Sequence, residues 1–177
     1  MRIVSGKFKG RKINPPAGIK ARPTTDMARE GLFNVLQNRI DLEGIEVLDL
    51  FCGTGAVSLE FLSRGAKSAT AVDLEFGSKK FITSLLKSWE INNMRVVRAN
   101  VFALAKKANK AFDVVFADPP YAMTDFEKIP ELVLKSGWVK PGGIFILEHG
   151  SEKNFEDTPH FDELRKYGNV HFSFFLA

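Results

Sequence analysis

Residues 116–123 read Phe-Ala-Asp-Pro-Pro-Tyr-Ala-Met, an apolar run that ends in a carboxylate, two prolines and an aromatic ring. A tandem Pro-Pro fixes φ at both positions and removes two N–H donors, so the Pro119 carbonyl points outward with no local donor. Together with the Asp118 carboxylate it offers two acceptors at fixed positions. An exocyclic amine offers two donors. Accepting both N–H bonds draws the nitrogen lone pair out of conjugation with its ring and aims it at an activated methyl, which is catalysis by positioning and electrostatics. Tyr121 adds a face on which a base can stack. The plainer alternative is a stiff loop leaving a strand, but few structural roles need all four residues in that order.

A second constellation lies upstream. Asp49-Leu-Phe-Cys-Gly53-Thr-Gly55 is a glycine turn between an apolar run and a helical segment, and Asp73 follows Gly53 by 20 residues. That is the separation at which an acid commonly receives ribose hydroxyls. Val57 and Ser58 stand where the third glycine of a dinucleotide turn would fall. The pyrophosphate of NAD needs that close approach, whereas a nucleoside ligand without phosphate needs only the tight turn and the ribose acid. These features point to S-adenosylmethionine. The bland alternatives are a turn that merely packs helix on strand and a solvated acid at a strand end. Cys52, the single cysteine, excludes an internal disulfide and reads as a small packing residue, and no Pro-Cys pair suggests covalent base methylation. His149, His160 and His171 are not spaced with Cys52 or with acids as a zinc site would be, so no metal is expected.

The elements that must position these residues follow from periodicity. Apolar runs at Ile45–Phe51, Ser68–Leu74, Met94–Ala99, Phe112–Ala117 and Ile144–Glu148 alternate with segments of helical period at Val57–Arg64, Gly77–Glu90, Val101–Asn109 and Thr124–Ser136. Near-continuous hydrophobic strands separated by helices predict a doubly wound α/β domain, its mostly parallel sheet covered on both faces. Ligands of such sheets bind beyond the strand C-terminal ends, where Asp49–Gly55, Asp73, Asn100 and Asp118–Tyr121 all fall. Gly168-Asn169 between Asp162–Tyr167 and Val170–Leu176 predicts a closing antiparallel hairpin. At the front, Arg2–Val4 and Arg11–Ile13 flank a glycine-containing turn and can pair. A helix over about Asp26–Arg39 is capped by Thr25, with Ala28, Leu32, Val35 and Leu36 on its buried side. Pro130 inside Thr124–Ser136 predicts a short turn first, with the helix proper carrying Pro130 in its first turn.

At 177 residues the chain is about one domain, of a size that buries roughly 70% of its unfolded surface. No apolar run approaches the roughly 18 residues of a membrane span, and Met1–Lys7 is too short and too basic for a signal peptide, so a cytoplasmic location is expected and no membrane partner. The charge is uneven. Residues 1–25 hold Arg2, Lys7, Lys9, Arg11, Lys12, Lys20 and Arg22 and no acid, leaving 18 basic against 21 acidic residues elsewhere. A basic arm on a slightly acidic body suggests a polyanionic partner.

Asp49–Gly55 followed by Asp118–Tyr121 resembles the class I S-adenosylmethionine-dependent N-methyltransferases, whose second motif is (Asn/Asp)-Pro-Pro-(Tyr/Phe). Arg2-Ile-Val-Ser-Gly6-Lys-Phe-Lys-Gly10-Arg11 and Arg22-Pro-Thr-Thr-Asp26-Met-Ala-Arg29-Glu30 resemble, further, the bacterial 16S ribosomal RNA guanine-N2 methyltransferases, the RsmD family, over nearly the whole chain. The resemblance implies a Rossmann-like sheet of seven strands with the last antiparallel. It implies a basic extension over 1–40, hairpin plus helix, packed on a methyltransferase domain over 41–177. It assigns Asp49, Phe51, Gly53, Gly55, Asp73, Leu74, Asn100 and Val101 to the cofactor, with Asp73 on the ribose and Asn100 with Val101 at the adenine. Asp118, Pro119 and Tyr121 would hold the target guanine, and Lys7, Lys9, Arg11, Lys12, Lys20 and Arg22 would contact 16S rRNA, naked or in a partly assembled small subunit. Asn100 stands where many class I enzymes carry Asp, a change that keeps an adenine contact through its side-chain carbonyl. The C-terminus looks trimmed. The same four-residue turn also serves DNA adenine and protein glutamine N-methyltransferases, and a catalytically silent RNA-binding protein could keep the fold.

Overall fold

The computed structural model describes residues 1–19 and 25–177, so the expectations for Lys20 and Arg22 lie outside the described residues. Helix α1 (Asp26–Arg39) starts at Thr25, whose hydroxyl accepts the Ala28 N–H at 3.1 Å, as its cap position predicts. Then follow β1 (Glu46–Leu50), α2 (Ala56–Ser63), β2 (Ser68–Asp73), α3 (Phe76–Ser88), β3 (Met94–Arg98), α4 (Val101–Ala105), β4 (Phe112–Ala117), a 3-10 turn (Phe126–Lys128), α5 (Ile129–Lys135), β5 (Val139–Gly150), β6 (Phe161–Tyr167) and β7 (Val170–Leu176). The strands form one sheet in the order β3-β2-β1-β4-β5-β7-β6. Strands β1 to β5 run parallel, and β7 lies antiparallel between β5 and β6. The order reverses between β1 and β4, which makes the crevice beyond their C-terminal ends the expected ligand position.

Most element bounds match the periodicity, and the exceptions have local causes. Pro130 sits in the first turn of α5 behind the 3-10 turn, where its missing N–H is harmless. Strand β5 extends well upstream of Ile144, through Pro141-Gly142-Gly143, because tertiary partners supply the hydrogen bonds: Val139 pairs with Phe112, Gly142 N–H bonds the Ala177 carbonyl, and Ala177 N–H bonds that of Gly143. Helix α4 stops at Ala105 rather than Asn109, since Lys106 and Lys107 are exposed and offer the core no apolar face. On α1, Arg29 and Phe33 are buried beside Ala28, Leu32 and Leu36, while Val35 is only half-buried. Gly168 opens the β6–β7 turn at φ 63°, a left-handed conformation that suits glycine.

One core layer lies between the sheet and α1 to α3, the other between the sheet and α4 with α5. Helix α2 is apolar nearly all round and every one of its residues is buried. The sheet covers one side of it, and the N-terminal hairpin covers another. That hairpin forms as expected, with an Arg2–Lys12 bridge and the Ile3 and Ile13 N–H groups bonding the Arg11 and Met1 carbonyls. It lies lengthwise on α2. Met1 reaches Thr54 at the start of α2, and at the hairpin's turn Lys7 N–H bonds the Ser63 carbonyl at 2.7 Å while Phe8 N–H bonds Ser63 Oγ at 2.8 Å. Ile3, Phe8 and Ile13 enter the same core cluster as Val47 and Phe61.

Candidate active site

Strand β1 delivers Asp49 and the glycine turn. Phe51, Gly53 and Gly55 have φ of 61°, 52° and 75°, so the chain reverses within a few residues and enters α2 with Gly55 as its cap. A Cβ at Gly55 would come within 3.1 Å of Ile82 Cδ1, so glycine is required there by both conformation and space. Phe51 in a left-handed conformation is a strained position of the kind that clusters at ligand sites. Asp49 is 1% exposed; its Oδ2 accepts the Ser58 hydroxyl at 2.6 Å and the Ser58 N–H at 3.2 Å. Burial pushes its carboxyl up from 3.8 to about 7, against the two Ser58 bonds and with a smaller push from the Asp73 charge.

Asp73, at the end of β2, joins two loops. Its Oδ2 accepts the Gly53 N–H at 2.8 Å and its Oδ1 the Glu75 N–H at 2.9 Å. Beside it Leu74 and Phe76 are exposed, with the Arg98 guanidinium 5.9 Å from the Phe76 ring and Arg98 Nε bonding the Leu74 carbonyl. Asn100 is the cap of α4, its side-chain carbonyl accepting the Ala103 N–H at 3.1 Å, so one acceptor position of that oxygen serves the helix. Val101, the first residue of α4, is buried.

The β4 ladder continues one residue past Ala117, because Asp118 N–H bonds the Leu50 carbonyl at 3.2 Å. Asp118 and Tyr121 are half-buried, Pro119 is buried and Pro120 exposed. The turn that follows is closed by Met123 N–H on the Pro120 carbonyl at 2.9 Å, not on that of Pro119. The Tyr121 ring stands edge-on to Phe126 at 6.5 Å, and Phe126 stacks in turn on Phe155. This packing gives the turn a fixed aromatic wall.

The eleven residues assigned to cofactor and base thus converge beyond β1 to β4. Four assigned arm cations, Lys7, Lys9, Arg11 and Lys12, are exposed, and among the described residues none makes an ion pair with an acid. Lys7 and Arg11 lie over the Phe8 ring at 5.5 and 5.1 Å, and Arg11 over Trp89 at 5.3 Å. Because the hairpin runs down α2, its turn sits one helix length, about 12 Å, from the glycine loop. These four cations therefore form a track along the hairpin that leads away from the crevice.

Two features escaped sequence reasoning. Glu60, on α2, is fully buried and accepts the Val4 and Ser5 N–H groups at 2.8 and 3.0 Å and Arg64 Nε at 2.9 Å, with buried Arg29 Nε 3.7 Å away. Nothing local marks a helix glutamate as a clasp for a segment 55 residues earlier. Glu148, the acid that ends the fifth apolar run, is 1% exposed at the C-terminal end of β5. The strand-end rule that selects Asp73 and Asp118 applies to it as well.

Cys52 is buried, and burial raises its thiol well above the usual range, as suits a packing residue. Among the described residues no group of His, Cys, Asp and Glu could hold a metal ion, and no helix is long and apolar enough to cross a membrane.

A sheet of this order, with an antiparallel β7 inserted beside β5 and a glycine turn after β1, defines the fold of the class I S-adenosylmethionine-dependent methyltransferases. Within that class, the family model described as Conserved hypothetical protein 95 matches residues 1–176, and the chain belongs to this family, the RsmD family. It is 32% identical over 180 residues to Ribosomal RNA small subunit methyltransferase D of Buchnera aphidicola subsp. Baizongia pistaciae, covering 99% of this chain and 91% of that one. It is also 32% identical over 159 residues to the Escherichia coli protein of the same name, covering 90% and 79%. A hypothetical protein of Thermus thermophilus has a solved structure that matches with a TM-score of 0.86 at 31% identity, covering 100% of this chain and 99% of that one.

Proposed function

We propose that the protein methylates the exocyclic N2 amine of a guanine in 16S rRNA, with S-adenosylmethionine as donor. The observation that carries this reading is the position of Asp118, half-buried beyond β4 and bonded to the end of β1, next to the glycine turn and beside a fixed aromatic ring. The donor set suits the cofactor: buried Asp49 for an ammonium, Asp73 for a ribose diol, exposed Leu74 for a flat apolar ring. When bound, that cofactor would supply a methyl activated by sulfonium, which leaves as a neutral thioether.

The chain's own residues do the rest. Asp118 and the Pro119 carbonyl accept the two N–H bonds of the amine, so its lone pair is free to form the new N–C bond, and one proton departs toward the Asp118 carboxylate. Tyr121 stacks on the base and holds the amine in line. The arm contributes no chemistry: Lys7, Lys9, Arg11 and Lys12 contact phosphates and set the register of the RNA, as a positioning extension over 1–40 on the catalytic unit 41–177. The names of the relatives, which specify the small ribosomal subunit, support the RNA class.

The test is methyl transfer from radiolabelled S-adenosylmethionine to small subunits from a strain lacking the gene, with parallel reactions on DNA and release factor, followed by mapping of the modified nucleotide. A single N2-methylguanine in 16S rRNA is the expected product. Label on adenine, on protein or nowhere overturns the reading.

A further inference from the structure

We infer that the outer face of α3 is an RNA track joining the basic hairpin to the crevice, with Phe76 stacking on a nucleotide next to the target base. The inference rests on the rRNA reading above and adds to it the path of the strand between two places that the fold holds apart. Lys7, Lys9, Arg11 and Lys12 belong to a hairpin whose turn is bonded to Ser63, at the far end of α2 from the glycine loop. A strand held at both places needs a surface between them.

Helix α3 spans that interval. At its end Trp89 meets the hairpin, with the Phe8 ring 5.9 Å away and the Arg11 guanidinium over the indole at 5.3 Å. Its start at Phe76 lies just beyond Asp73, which is tied to the glycine turn through Gly53. The chain leaving the hairpin returns to that start, where Ile19 Cγ1 lies 3.9 Å from the place a Cβ on Gly77 would take. From Phe76 to Lys87 the helix rises about 16 Å.

Helical period fixes what the outer face carries. Ser78, Ile82 and Leu86 are buried at intervals of one turn, so the opposite side presents Phe76, Lys80, Thr83 and Lys87 in one line, all exposed. The 13 residues of α3 contain Lys79, Lys80 and Lys87 and no acid. Glu75 and Glu90 stand outside its ends. Among the described residues neither Lys80 nor Lys87 makes an ion pair with an acid. A merely solvated helix face commonly mixes both signs, which this one does not.

Phe76 is the second observation. It is 62% exposed, and Arg98, paired in register with Asp73, sets its guanidinium 5.9 Å from the ring while its Nε bonds the Leu74 carbonyl at 3.0 Å. An exposed ring beside one cation and in line with two more is the pattern that single strands use, rings against bases and cations against phosphates. A target base that turns into the crevice leaves its neighbour unstacked, and Phe76 stands at the rim to take it.

The experiment measures affinity for small subunits from the strain lacking the gene, across a salt series, with the full chain and four variants. Lys80→Gln/Lys87→Gln should lower the slope of log affinity against log salt by about 1.4 to 1.8, two phosphate contacts. Lys106→Gln/Lys107→Gln, a pair of exposed lysines just beyond α4 on the other face of the sheet, should leave it unchanged. Phe76→Ala should weaken binding by about fivefold to a hundredfold at every salt concentration, one lost base stack, and Phe76→Trp should restore it. Cofactor affinity and melting temperature should stay near the parent's in all four. An unchanged slope in the α3 pair, or equal losses from both lysine pairs, would overturn the track. A Phe76→Ala loss of equal size in cofactor affinity would place the ring over the cofactor and overturn the stacking. A parent that binds small subunits without methylating them would sink the guanine-N2 reading and leave the track standing, whereas a parent that does not bind them overturns both.

Discussion

The Asp73 carboxylate accepts the Gly53 N–H at 2.8 Å, so the acid at the end of β2 and the glycine turn at the end of β1 form one unit. The two are separate signals in the sequence, one for ribose and one for a tight turn. In the fold each holds the other in place.

Asp73→Ala should therefore remove both the ribose acceptors and the tie on the turn. S-adenosylmethionine affinity is expected to fall by about 10-fold or more, the equivalent of about 1.5–3 kcal/mol for each charge-assisted hydrogen bond lost. Calorimetric titration reads this directly, and an unchanged dissociation constant would move the ribose site elsewhere.

Asp118→Ala should separate chemistry from cofactor binding. Turnover is expected to drop by roughly a hundredfold or more, the scale for one preorganised electrostatic partner, with cofactor affinity nearly intact. Tyr121→Ala should instead weaken use of the RNA, by about 1–3 kcal/mol in kcat/KM for one lost base stack. Single-turnover methylation of small subunits distinguishes the two; an Asp118 variant within a few-fold of the parent would end its proposed role.

Asp49 predicts a pH dependence with a definite sign. Its folded carboxyl titrates at about 7 against an ordinary 3.8, raised by burial. Between about pH 4 and pH 7 the folded state keeps a proton that the unfolded chain has released, so stability falls as pH rises and the full penalty stands above 7. Asp49→Asn should be more stable than the parent at pH 8 without cofactor, by up to about 4 kcal/mol, and the two should converge near pH 4. Cofactor binding should move the opposite way, strengthening in the parent as pH rises through 7 and staying weak and flat in the variant. Denaturant melts and titrations across pH 5 to 8.5 check both; parallel stability curves would show that Asp49 is not held protonated.

Glu60→Ala should destabilise the whole protein by about 3–5 kcal/mol, the cost of breaking a buried charged network. It leaves the Val4 and Ser5 N–H groups and Arg64 Nε without their acceptor, and it removes the carboxylate 3.7 Å from the buried Arg29 Nε. Urea unfolding is the measurement, and a loss below about 1 kcal/mol would show that the hairpin is held by its apolar contacts alone.

The arm is best tested by substitution, because deleting it would uncover α2 and remove Ile3, Phe8 and Ile13 from the core. Replacing Lys7, Lys9, Arg11 and Lys12 with glutamine should leave cofactor binding unchanged and reduce RNA affinity. Each phosphate contact contributes about 0.7 to 0.9 to the slope of log affinity against log salt, so the four together can remove roughly 3.6 at most. Equal slopes in parent and variant across a salt series would reassign RNA binding to the sheet domain.

What the sequence determined was whatever depends on a few consecutive residues. Thr25 as a helix cap, Pro130 in a first turn, Gly168 in a hairpin and the left-handed Gly53 and Gly55 follow from conformational preferences that act within one turn of chain. The period of the apolar runs fixed the strand and helix alternation, and with it the end of the sheet at which Asp49, Asp73 and Asp118 gather. Tertiary structure decided what depends on distant segments meeting. Pro141-Gly142-Gly143 reads locally as a turn, yet lies within β5 because Ala177 supplies its hydrogen bonds. The basic arm reads as a charged extension packed on the core, and only the fold shows that its hairpin is the outer layer over α2, with its turn carried away from the crevice and a buried glutamate as its anchor. Glu148 reads as the end of an apolar run. Only the register between β4 and β5 sets it beside Asp118, and register is fixed by the packing of both sheet faces at once, which no short stretch of chain encodes.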